Sequence, residues 1–487
     1  MGVASRTVPV PPLSIAVDDP AVVEGLALIR QQQKVPGPHS PEVVAEAEAA
    51  ARRVLGSLDD GRRRDARDVP FVTIDPPGSR DLDQAVHIEA RSGGRGWRVR
   101  YAIADVGAFV DPGGALDAAV WDRGFTYYLP DGRAPLHPPV MGEDAASLLP
   151  DQDRAAVLWT VDLDADGAVE VATVERAVVR SRAQLTYEDV QKAVDSGTAE
   201  DTLVLLREVG QVRYRQEIAR GGVSLDLPSQ EVEADGGGYR IGFETTLPSM
   251  SWNAQVSLLT GMVAAGRMDA AGVGLLRTMP PAGPEVLAEV RRAARALHVG
   301  WPEGAGYAEV IRTLHSHIPD EAALLALAAR GLRGAGYLAL PSGSTGRQRE
   351  HGAVAALYAH VTAPLRRLGD RYAIEACLAV EANATPPAWV TDRLGDLPSA
   401  LQKATGRESG AARAAVDLVE ALVLRPMVGQ TIRVAVVAAD DGGSTVVCRR
   451  PAIQTRIPGH KLPLGDEVPV RIAAADPVAR QVTLEPA

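Results

Sequence analysis

A short loop rich in aspartate, proline and glycine constrains this chain more than any other segment does. Residues 71–74 and 85–88 read as β-strands, and the loop between them carries Asp75, Asp81 and Asp83. The Pro-Pro-Gly sequence after Asp75 favours a tight reversal, which would bring the three carboxylates together. Because Mg²⁺ prefers carboxylate oxygens, this spacing is compatible with a metal site. An ordinary turn remains the more frequent explanation of the same residue types.

Hydrophobic patterning divides the rest of the chain into stretches that favour different secondary structures. Residues 20–57 look helical, and β-like segments then continue to about 163. Residues 186–220 and 252–336 read as mainly helical, with more helix through roughly 425. The last 60 residues contain short alternating strands joined by Asp-Gly and Gly-Asp turns, which is typical of a five-stranded OB-type barrel. At 487 residues the chain is too long for one ordinary core, so we expect about three domains.

Composition excludes several classes of protein. The formal net charge is −11, which rules out a uniform basic coat for gripping nucleic acid but allows a local basic groove. Cys377 and Cys448 lie in separate segments without metal-ligand spacing, so a zinc ribbon and a disulfide framework are excluded. The sequence lacks an apolar stretch of the ~20 residues that span a bilayer. We therefore expect a cytoplasmic protein with no membrane partner and no organic cofactor.

Several sequence blocks carry a resemblance to a known family. The run 75–84 resembles the signature of the RNB catalytic domain of the ribonuclease II and ribonuclease R exoribonucleases. Residues 101–106 (Tyr-Ala-Ile-Ala-Asp-Val) and 125–130 (Phe-Thr-Tyr-Tyr-Leu-Pro) resemble the blocks that follow it. The strongest late match is 360–370, which reads His-Val-Thr-Ala-Pro-Leu-Arg-Arg-Leu-Gly-Asp. These blocks occur in the family's order, and the C-terminal barrel resembles the family's S1 domain.

The resemblance implies a fold and a domain division. The fold class would be α+β, with an RNB catalytic domain, a small N-terminal helical domain and a C-terminal S1-like OB barrel. The helical domain would stand where the family usually has cold-shock β-barrels. Family-like behaviour favours a monomer. The expected domains are an N-terminal helical module, the RNB domain and the S1-like domain, at 1–66, 67–426 and 427–487.

The resemblance also implies an activity and its metal. RNB enzymes degrade single-stranded RNA processively from the 3′ end to nucleoside 5′-monophosphates, using Mg²⁺ or alternatively Mn²⁺. By motif position, Asp75, Asp81, Asp83 and Gln84 would form the metal site of a two-metal mechanism. Asp83 and Arg366 would be catalytic, because a guanidinium suits the charge of a pentacovalent phosphorane.

Further residues are candidates for RNA binding. Tyr128 aligns with the family tyrosine that stacks on the terminal nucleotide, although its neighbour Tyr127 is an obvious misassignment. Residues 445–461 in the barrel contain four basic side chains and no acid, which is compatible either with a phosphate-tracking surface or with ordinary solvated loop charge. The predicted RNA-binding residues are Tyr128, Arg366, Arg367, Arg449, Arg450, Arg456 and Lys461.

Three departures from the family pattern keep a second hypothesis open. The metal motif of the family ends in consecutive aspartates, whereas here Gln84 follows Asp83, and an amide lacks the charge that attracts Mg²⁺. A family glutamate falls on Ala412, unless Glu408 substitutes for it, and another appears as Gln255. The alternative is therefore an RNA-binding protein on an RNB scaffold with weakened or lost catalysis. The aspartates and Arg366 persist, which favours a working enzyme.

Overall fold

The computed structural model describes residues 14–225, 230–235, 237–243, 246–449 and 451–487. Its first part, which we call the N-terminal module, contains strand β1 (Ser14–Ala16), helix α1 (Pro20–Gln32) and helix α2 (Pro41–Leu55). Each helix has proline in its first turn, and its preceding residue, Asp19 or Ser40, accepts a hydrogen bond from a backbone N–H of that turn. The helical interpretation of this segment is confirmed.

A closed β-sheet forms the centre of the molecule. Strand β9 bends, so that its first part pairs with β8 and its last part pairs with β3, and the sheet closes on itself through β4 and β5. Strand β2 adds to the outside of β9 in parallel. The strands are β2 (Arg64–Asp65), β3 (Phe71–Ile74), β4 (Gln84–Ala90), β5 (Trp97–Ala104), β8 (Asp153–Leu163) and β9 (Val169–Leu185).

A helix and a small hairpin lie between β5 and β8 in the chain. Helix α3 (Ala115–Arg123) is followed by β6 (Tyr127–Leu129) and β7 (Gly132–Ala134), which pair only with each other in the described structure. We call residues 127–134 the tyrosine hairpin. Pro130 and Asp131 form its two-residue turn, and Gly132 begins β7 opposite Leu129. The hairpin carries Tyr127 and Tyr128 on opposite faces because successive side chains of a strand alternate.

Helices cover the sheet, and several short strands interrupt them. The helices are α4 (Tyr187–Ser196), α5 (Asp201–Arg220), α6 (Pro248–Ala271), α7 (Pro284–Ala296), α8 (Tyr307–Ile311), α9 (Pro319–Ala328), α10 (Leu368–Glu381), α11 (Ala388–Thr391) and α12 (Leu397–Leu424). The interspersed strands are β10 (Gln230–Asp235), β11 (Gly238–Phe243), β12 (Gly274–Thr278), β13 (Gly336–Leu340), β14 (Glu350–His351) and β15 (Ala356–Leu357). None of the helices within the described ranges is long and apolar enough to cross a membrane.

The segment 252–336 is mainly helical, as predicted, but it also contains a strand that the sequence pattern did not reveal. Helix α6 ends at Gly272, which adopts a left-handed conformation, and β12 follows directly. Strand β12 pairs with β13 from the far end of the segment, so helices α7 to α9 form an excursion between two strands. Leu275 and Leu276 of β12 are buried on successive positions. A strand buried on both faces has no alternation, which is why its sequence resembles part of a helix.

The last part of the chain is a five-stranded, nearly closed barrel, as the sequence predicts. Strands β16 to β20 pair in the order β18-β17-β16-β19-β20, and β18 and β20 also lie close to each other. The core of the barrel is aliphatic and includes Val434, Ile453 and Leu484. The strands are β16 (Thr431–Asp440), β17 (Gly443–Arg449), β18 (Ala452–Pro458), β19 (Glu467–Asp476) and β20 (Gln481–Pro486).

Two hydrophobic cores lie on the two sides of the central sheet. One contains Phe71, Phe109 and Tyr372, and the other contains Tyr101 and Trp159. A separate apolar cluster joins α1 of the N-terminal module to α12 and to the tyrosine hairpin. The acidic loop between β3 and β4 contacts both the tyrosine hairpin and the segment that leads into α10.

Candidate active site

The acidic loop begins with a tight reversal directly after β3. The Asp75 N–H donates to the Leu185 carbonyl at 3.0 Å, which continues the pairing of β3 with β9 by one residue. The Ser79 N–H then donates to the Pro76 carbonyl at 3.2 Å, and Gly78 has a φ of 78°. Such a left-handed conformation favours glycine. The reversal that the Pro-Pro-Gly sequence predicts is confirmed.

Asp83 connects this loop to a segment that lies 282 residues later in the chain. Its side chain is almost completely buried, and its Oδ1 accepts a hydrogen bond of 2.7 Å from the Leu365 N–H. Its Oδ2 lies 3.7 Å from Nε of Arg366. Burial raises the pKa of Asp83 well above its usual range, although Arg366 and the Leu365 N–H oppose that shift. The two strongest sequence blocks therefore meet at one carboxylate.

Asp75 is a second carboxylate of the site, partly buried and incompletely satisfied. Burial, reinforced by the negative charge of Asp81, raises the pKa of Asp75 to about 7. Its Oδ2 is buried and has no hydrogen-bond partner among the residues that the structure describes. A buried carboxylate oxygen without a partner is costly, and a bound cation would relieve that cost.

Asp81 is held by protein partners. Its Oδ1 accepts a hydrogen bond of 2.6 Å from Arg133, and its Oδ2 accepts one of 3.1 Å from the Tyr128 hydroxyl. Arg133 also forms a 3.0 Å ion pair with Glu143. Sequence reasoning missed Arg133, which the two-residue turn of the hairpin places directly opposite Tyr128 in the strand register.

Gln84 also has protein partners on both ends of its amide. The Nε2 group donates to the Thr362 carbonyl at 2.5 Å, and Oε1 accepts a hydrogen bond of 2.7 Å from the Tyr101 hydroxyl. Tyr101 is buried and also lies 2.8 Å from the Ser257 hydroxyl. The oxygen that would ligate a metal is therefore engaged with Tyr101, and the amide instead links β4 to the segment that contains Arg366.

The donor set suits a hard divalent cation in its chemistry. Asp75, Asp81 and Asp83 offer carboxylate oxygens, one of them unpartnered, and their mutual repulsion favours a bound cation. In the described ranges, however, no three His, Cys, Asp or Glu side chains converge closely enough to hold a metal ion. The residue types fit a divalent cation, but Asp81 and Gln84 are bonded to protein partners and do not converge with Asp75 and Asp83 on one point.

Arg366 and Arg367 are neighbours with different surroundings. The Arg366 side chain is 43% exposed and lines a cavity of about 470 Å³ together with Tyr187, Asn253 and Tyr358. The Arg367 side chain is only 15% exposed and forms a 2.8 Å ion pair with Asp370. Burial lowers the pKa of Arg367, but the charge of Asp370 outweighs that effect and raises it. Arg367, which the sequence nominates for RNA binding, also lines this cavity, but its guanidinium is paired with Asp370.

Asp370 also fixes the turn before the two arginines. Its Oδ2 accepts a 2.8 Å hydrogen bond from the Ala363 N–H, in addition to its bonds with Arg367. The Arg366 and Arg367 N–H groups both donate to the Ala363 carbonyl. The pair of Arg367 and Asp370 therefore closes the turn on which Arg366 is presented to the cavity.

The tyrosine hairpin distinguishes its two adjacent tyrosines. Tyr127 is 1% exposed and donates its hydroxyl proton to the Arg123 carbonyl at 3.2 Å, whereas Tyr128 is 47% exposed. Only Tyr128 presents a ring to solvent beside the acidic loop. The geometry therefore favours Tyr128 over Tyr127 as the residue that contacts a ligand.

The barrel residues nominated from the sequence are paired with acids or lie outside the described side chains. Arg456 pairs with Asp440, and Lys461 lies 3.0 Å from Asp441. Strand β17 ends at Arg449, whose side chain lies outside the described structure, and Arg450 lies outside the described residues entirely. The acids come from the turn between β16 and β17, which precedes the stretch that the sequence reading counted as free of acid.

The other departures from the family pattern have different surroundings. Gln255 is buried in α6 and donates to Glu217 at 2.7 Å, beside a second cavity of about 590 Å³. Sequence reasoning missed Glu217, since a single acid near the end of a long polar helix gives no local signal. Ala412 and Glu408 both lie on α12, and burial raises the pKa of Glu408. Burial raises the pKa of the Tyr127 phenol, and the negative charge of nearby Glu408 adds to that rise.

Comparisons with known proteins agree with this arrangement. The RNB domain family matches residues 63–378, and the RNase II-type exonuclease C-terminal S1 domain matches residues 430–487. Ribonuclease R of Vibrio cholerae is 27% identical over 390 residues, which cover 74% of this chain and 45% of that protein. The chain spans less than half the length of the curated relatives that it matches.

Two solved structures have the same fold. Mycoplasma genitalium RNase R in complex with ribose methylated single-stranded RNA has a TM-score of 0.84 at 17% identity, covering 96% of this chain and 78% of its own. Yeast Ssd1, described as a pseudonuclease, has a TM-score of 0.71 at 15% identity, covering 93% of this chain and 57% of its own. The fold therefore occurs in a nuclease with bound RNA and in a protein without nuclease function.

Proposed function

This chain belongs to the RNB family, and from that membership we propose that it hydrolyses single-stranded RNA from the 3′ end. The observation that carries the proposal is the meeting at Asp83 of the acidic loop with Leu365 and Arg366. A buried carboxylate beside a half-exposed guanidinium, at the edge of a cavity, suits phosphodiester chemistry because it combines a cation site with a group that binds phosphate oxygens.

The proposed roles follow from the surroundings of each side chain. Asp75, Asp81 and Asp83 would hold Mg²⁺, or alternatively Mn²⁺, and Gln84 would support the site through Thr362. A bound divalent cation would supply a hydroxide nucleophile and stabilise the leaving 3′ oxygen, with two ions in the full mechanism. Arg366 would bind the scissile phosphate, and Tyr128 would stack on the terminal base. Stacking tolerates any base, so we propose little sequence preference.

The remaining features of the proposal concern the RNA path and the products. We propose a processive reaction that releases nucleoside 5′-monophosphates, with the RNB domain at 67–426 flanked by the helical module at 1–66 and the S1-like domain at 427–487. Single-stranded RNA is the proposed partner of a monomeric protein. Arg449, Arg450, Arg456 and Lys461 remain proposed contacts of the RNA that leads into the site.

A second candidate function follows from Gln84. The Gln84 side-chain amide stands where the family has a carboxylate, and it is hydrogen-bonded to Tyr101 and Thr362. An uncharged amide attracts Mg²⁺ less strongly than a carboxylate does. The likeness to a pseudonuclease shows that this fold persists without catalysis. The alternative is therefore an RNA-binding protein on an RNB scaffold with weakened or lost hydrolysis.

One assay separates the two functions. The protein is incubated with 5′-labelled single-stranded RNA in Mg²⁺ or Mn²⁺, with and without a chelator, and the products are resolved by length and by chromatography of mononucleotides. We expect the labelled RNA to be shortened from its 3′ end only when a divalent metal is present. Shortening should be slower when the RNA carries a 3′-phosphate or is part of a duplex. RNA binding without shortening in either metal would support the alternative, and Asp83→Asn serves as the control for contaminating nuclease.

A further inference from the structure

The N-terminal module contacts the tyrosine hairpin at its tip and at its base. We propose that this module is a positioning element of the nuclease site, in which Arg30 and His39 fix the hairpin that carries Tyr128 relative to the acidic loop. The inference rests on the proposed function for its kinetic consequence, whereas the positioning itself is a statement about structure. The RNB family match begins at residue 63, so it does not include this module.

The contact at the tip combines an ion pair with apolar packing. The Arg30 guanidinium, in the last turn of α1, lies 2.7 Å from the Asp131 carboxylate at the hairpin turn. Leu129 of the hairpin is buried in the same apolar cluster as Leu26 and Ile29 of α1. Alternation along β6 then directs Tyr128 away from α1 and towards Asp81, to which its hydroxyl donates.

The contact at the base involves the segment between α1 and α2. Arg123 is buried and donates to the Gly37 carbonyl at 2.5 Å and to the Pro135 carbonyl at 3.0 Å. His39 Nε2 lies 3.2 Å from the same Pro135 oxygen. Burial, followed by the charge of Arg123, lowers the pKa of His39 to about 4, so the ring is neutral near pH 7 and can donate from Nε2.

The base of the hairpin is connected in turn to the catalytic turn. His137 is fully buried, and its Nδ1 lies 3.0 Å from the Leu365 carbonyl, while the Leu365 N–H donates to Asp83. On the other side of the hairpin, the Thr126 N–H donates to the Arg366 carbonyl at 3.1 Å. A shift of the hairpin base would therefore reach Arg366 through one hydrogen bond and Asp83 through two that meet at Leu365.

The hairpin needs such support because it cannot hold its own position. Its two strands have three residues each and pair only with each other within the described part of the chain. An isolated two-stranded hairpin is at best marginally stable in water. Stacking on a terminal base requires a ring held in place, so the supports of the hairpin are expected to matter for how tightly Tyr128 binds the RNA.

The first test reverses the charge at the tip. Arg30→Asp should raise KM for single-stranded RNA by about three- to five-fold with little change in kcat, since an exposed ion pair contributes up to ~1 kcal/mol. It should also speed amide hydrogen exchange in peptides that cover 124–137. Combining Arg30→Asp with Asp131→Arg should restore both values. Arg53→Asp is the matched control, because Arg53 forms a 2.9 Å ion pair with Asp111 that joins the module to the core without touching the hairpin.

The second test compares two replacements at the base. His39→Gln keeps an N–H donor for the Pro135 carbonyl, so it should retain slow amide exchange at 124–137 and a low KM for single-stranded RNA. His39→Leu has no donor, so its exchange should be faster and its KM higher, at an unchanged melting temperature. The positioning role would be overturned if His39→Gln and His39→Leu had the same KM and the same amide exchange. It would also be overturned if Arg30→Asp and Arg53→Asp had the same exchange at 124–137. A wild-type protein that neither cleaves nor binds RNA would overturn the proposed function instead, since the exchange experiment needs no activity.

Discussion

The acidic loop and the basic stretch of the barrel were both nominated for ligand binding from local charge, and the structure treats them differently. In the loop, Asp83 is buried, and the partly buried Asp75 has a buried Oδ2 that lacks a partner within the described structure. In the barrel, Arg456 and Lys461 are exposed and already paired with Asp440 and Asp441. Charge that is buried and incompletely satisfied indicates a ligand more strongly than charge that is exposed and paired, because only the former carries an uncompensated cost.

The largest expected effect concerns Asp83. Asp83→Asn keeps an oxygen that accepts from the Leu365 N–H but removes the negative charge, so kcat should fall by about 1,000-fold. RNA affinity should stay nearly unchanged, because phosphate and stacking contacts supply it. Single-turnover cleavage and fluorescence anisotropy measure the two quantities. Asp440→Asn, in the barrel, is the control that should retain activity, and full activity of Asp83→Asn would remove Asp83 from the metal site.

The second prediction contrasts the two adjacent arginines. Arg366→Ala should reduce kcat by about 100-fold without altering the melting temperature, since its side chain reaches into the cavity. Arg367→Ala should instead lower the free energy of unfolding by about 3–5 kcal/mol, because it leaves Asp370 buried and unpaired. Denaturant titrations and kinetics on both variants check this contrast. An Arg367→Ala protein of normal stability would show that the pair with Asp370 is not structural.

The third prediction concerns pH at the junction between α12 and the barrel. Burial raises the pKa of Glu420 to about 7 from 4.5, although hydrogen bonds from Gln230 and the Gln454 N–H oppose the shift. The folded protein therefore holds a proton that the unfolded chain releases, and its contribution to stability falls as pH rises from about 4.5 to about 7. Glu420→Gln should flatten this fall. Melting temperatures between pH 5 and pH 8 measure it, with Glu485→Gln, an exposed acid of β20, as the control.

The smallest effects are expected in the barrel itself. Arg456→Ala and Lys461→Ala should each weaken RNA binding only a few-fold, because each cation already has an acidic neighbour. If either side chain does contact a phosphate, the slope of log affinity against log salt should fall by about 1. Binding isotherms at several salt concentrations decide the matter. If either barrel variant weakened RNA binding by as much as Arg366→Ala lowers kcat, the barrel would be as important to the reaction as the acidic loop.

Local pattern was sufficient for much of the architecture. The Pro-Pro-Gly reversal, the strands on either side of it, the capped helices α1 and α2 and the five-stranded barrel all follow from short-range signals. The strand β12 was not recognisable, because a fully buried strand lacks alternation. The hydrogen-bond partners of Gln84 were equally out of reach, since Thr362 lies 278 residues away in the chain.

The sequence by itself determined the family, the carboxylates of the acidic loop and the presence of Arg366 in a distant block. Only the tertiary structure decided that Arg366 is exposed at the cavity while Arg367 is paired with Asp370. It likewise decided that Tyr128 rather than Tyr127 is exposed, and that Arg456 and Lys461 have acidic neighbours. The physical reason is range. Periodicity and turn chemistry act over a few residues, whereas burial and pairing depend on which distant segments pack against a side chain.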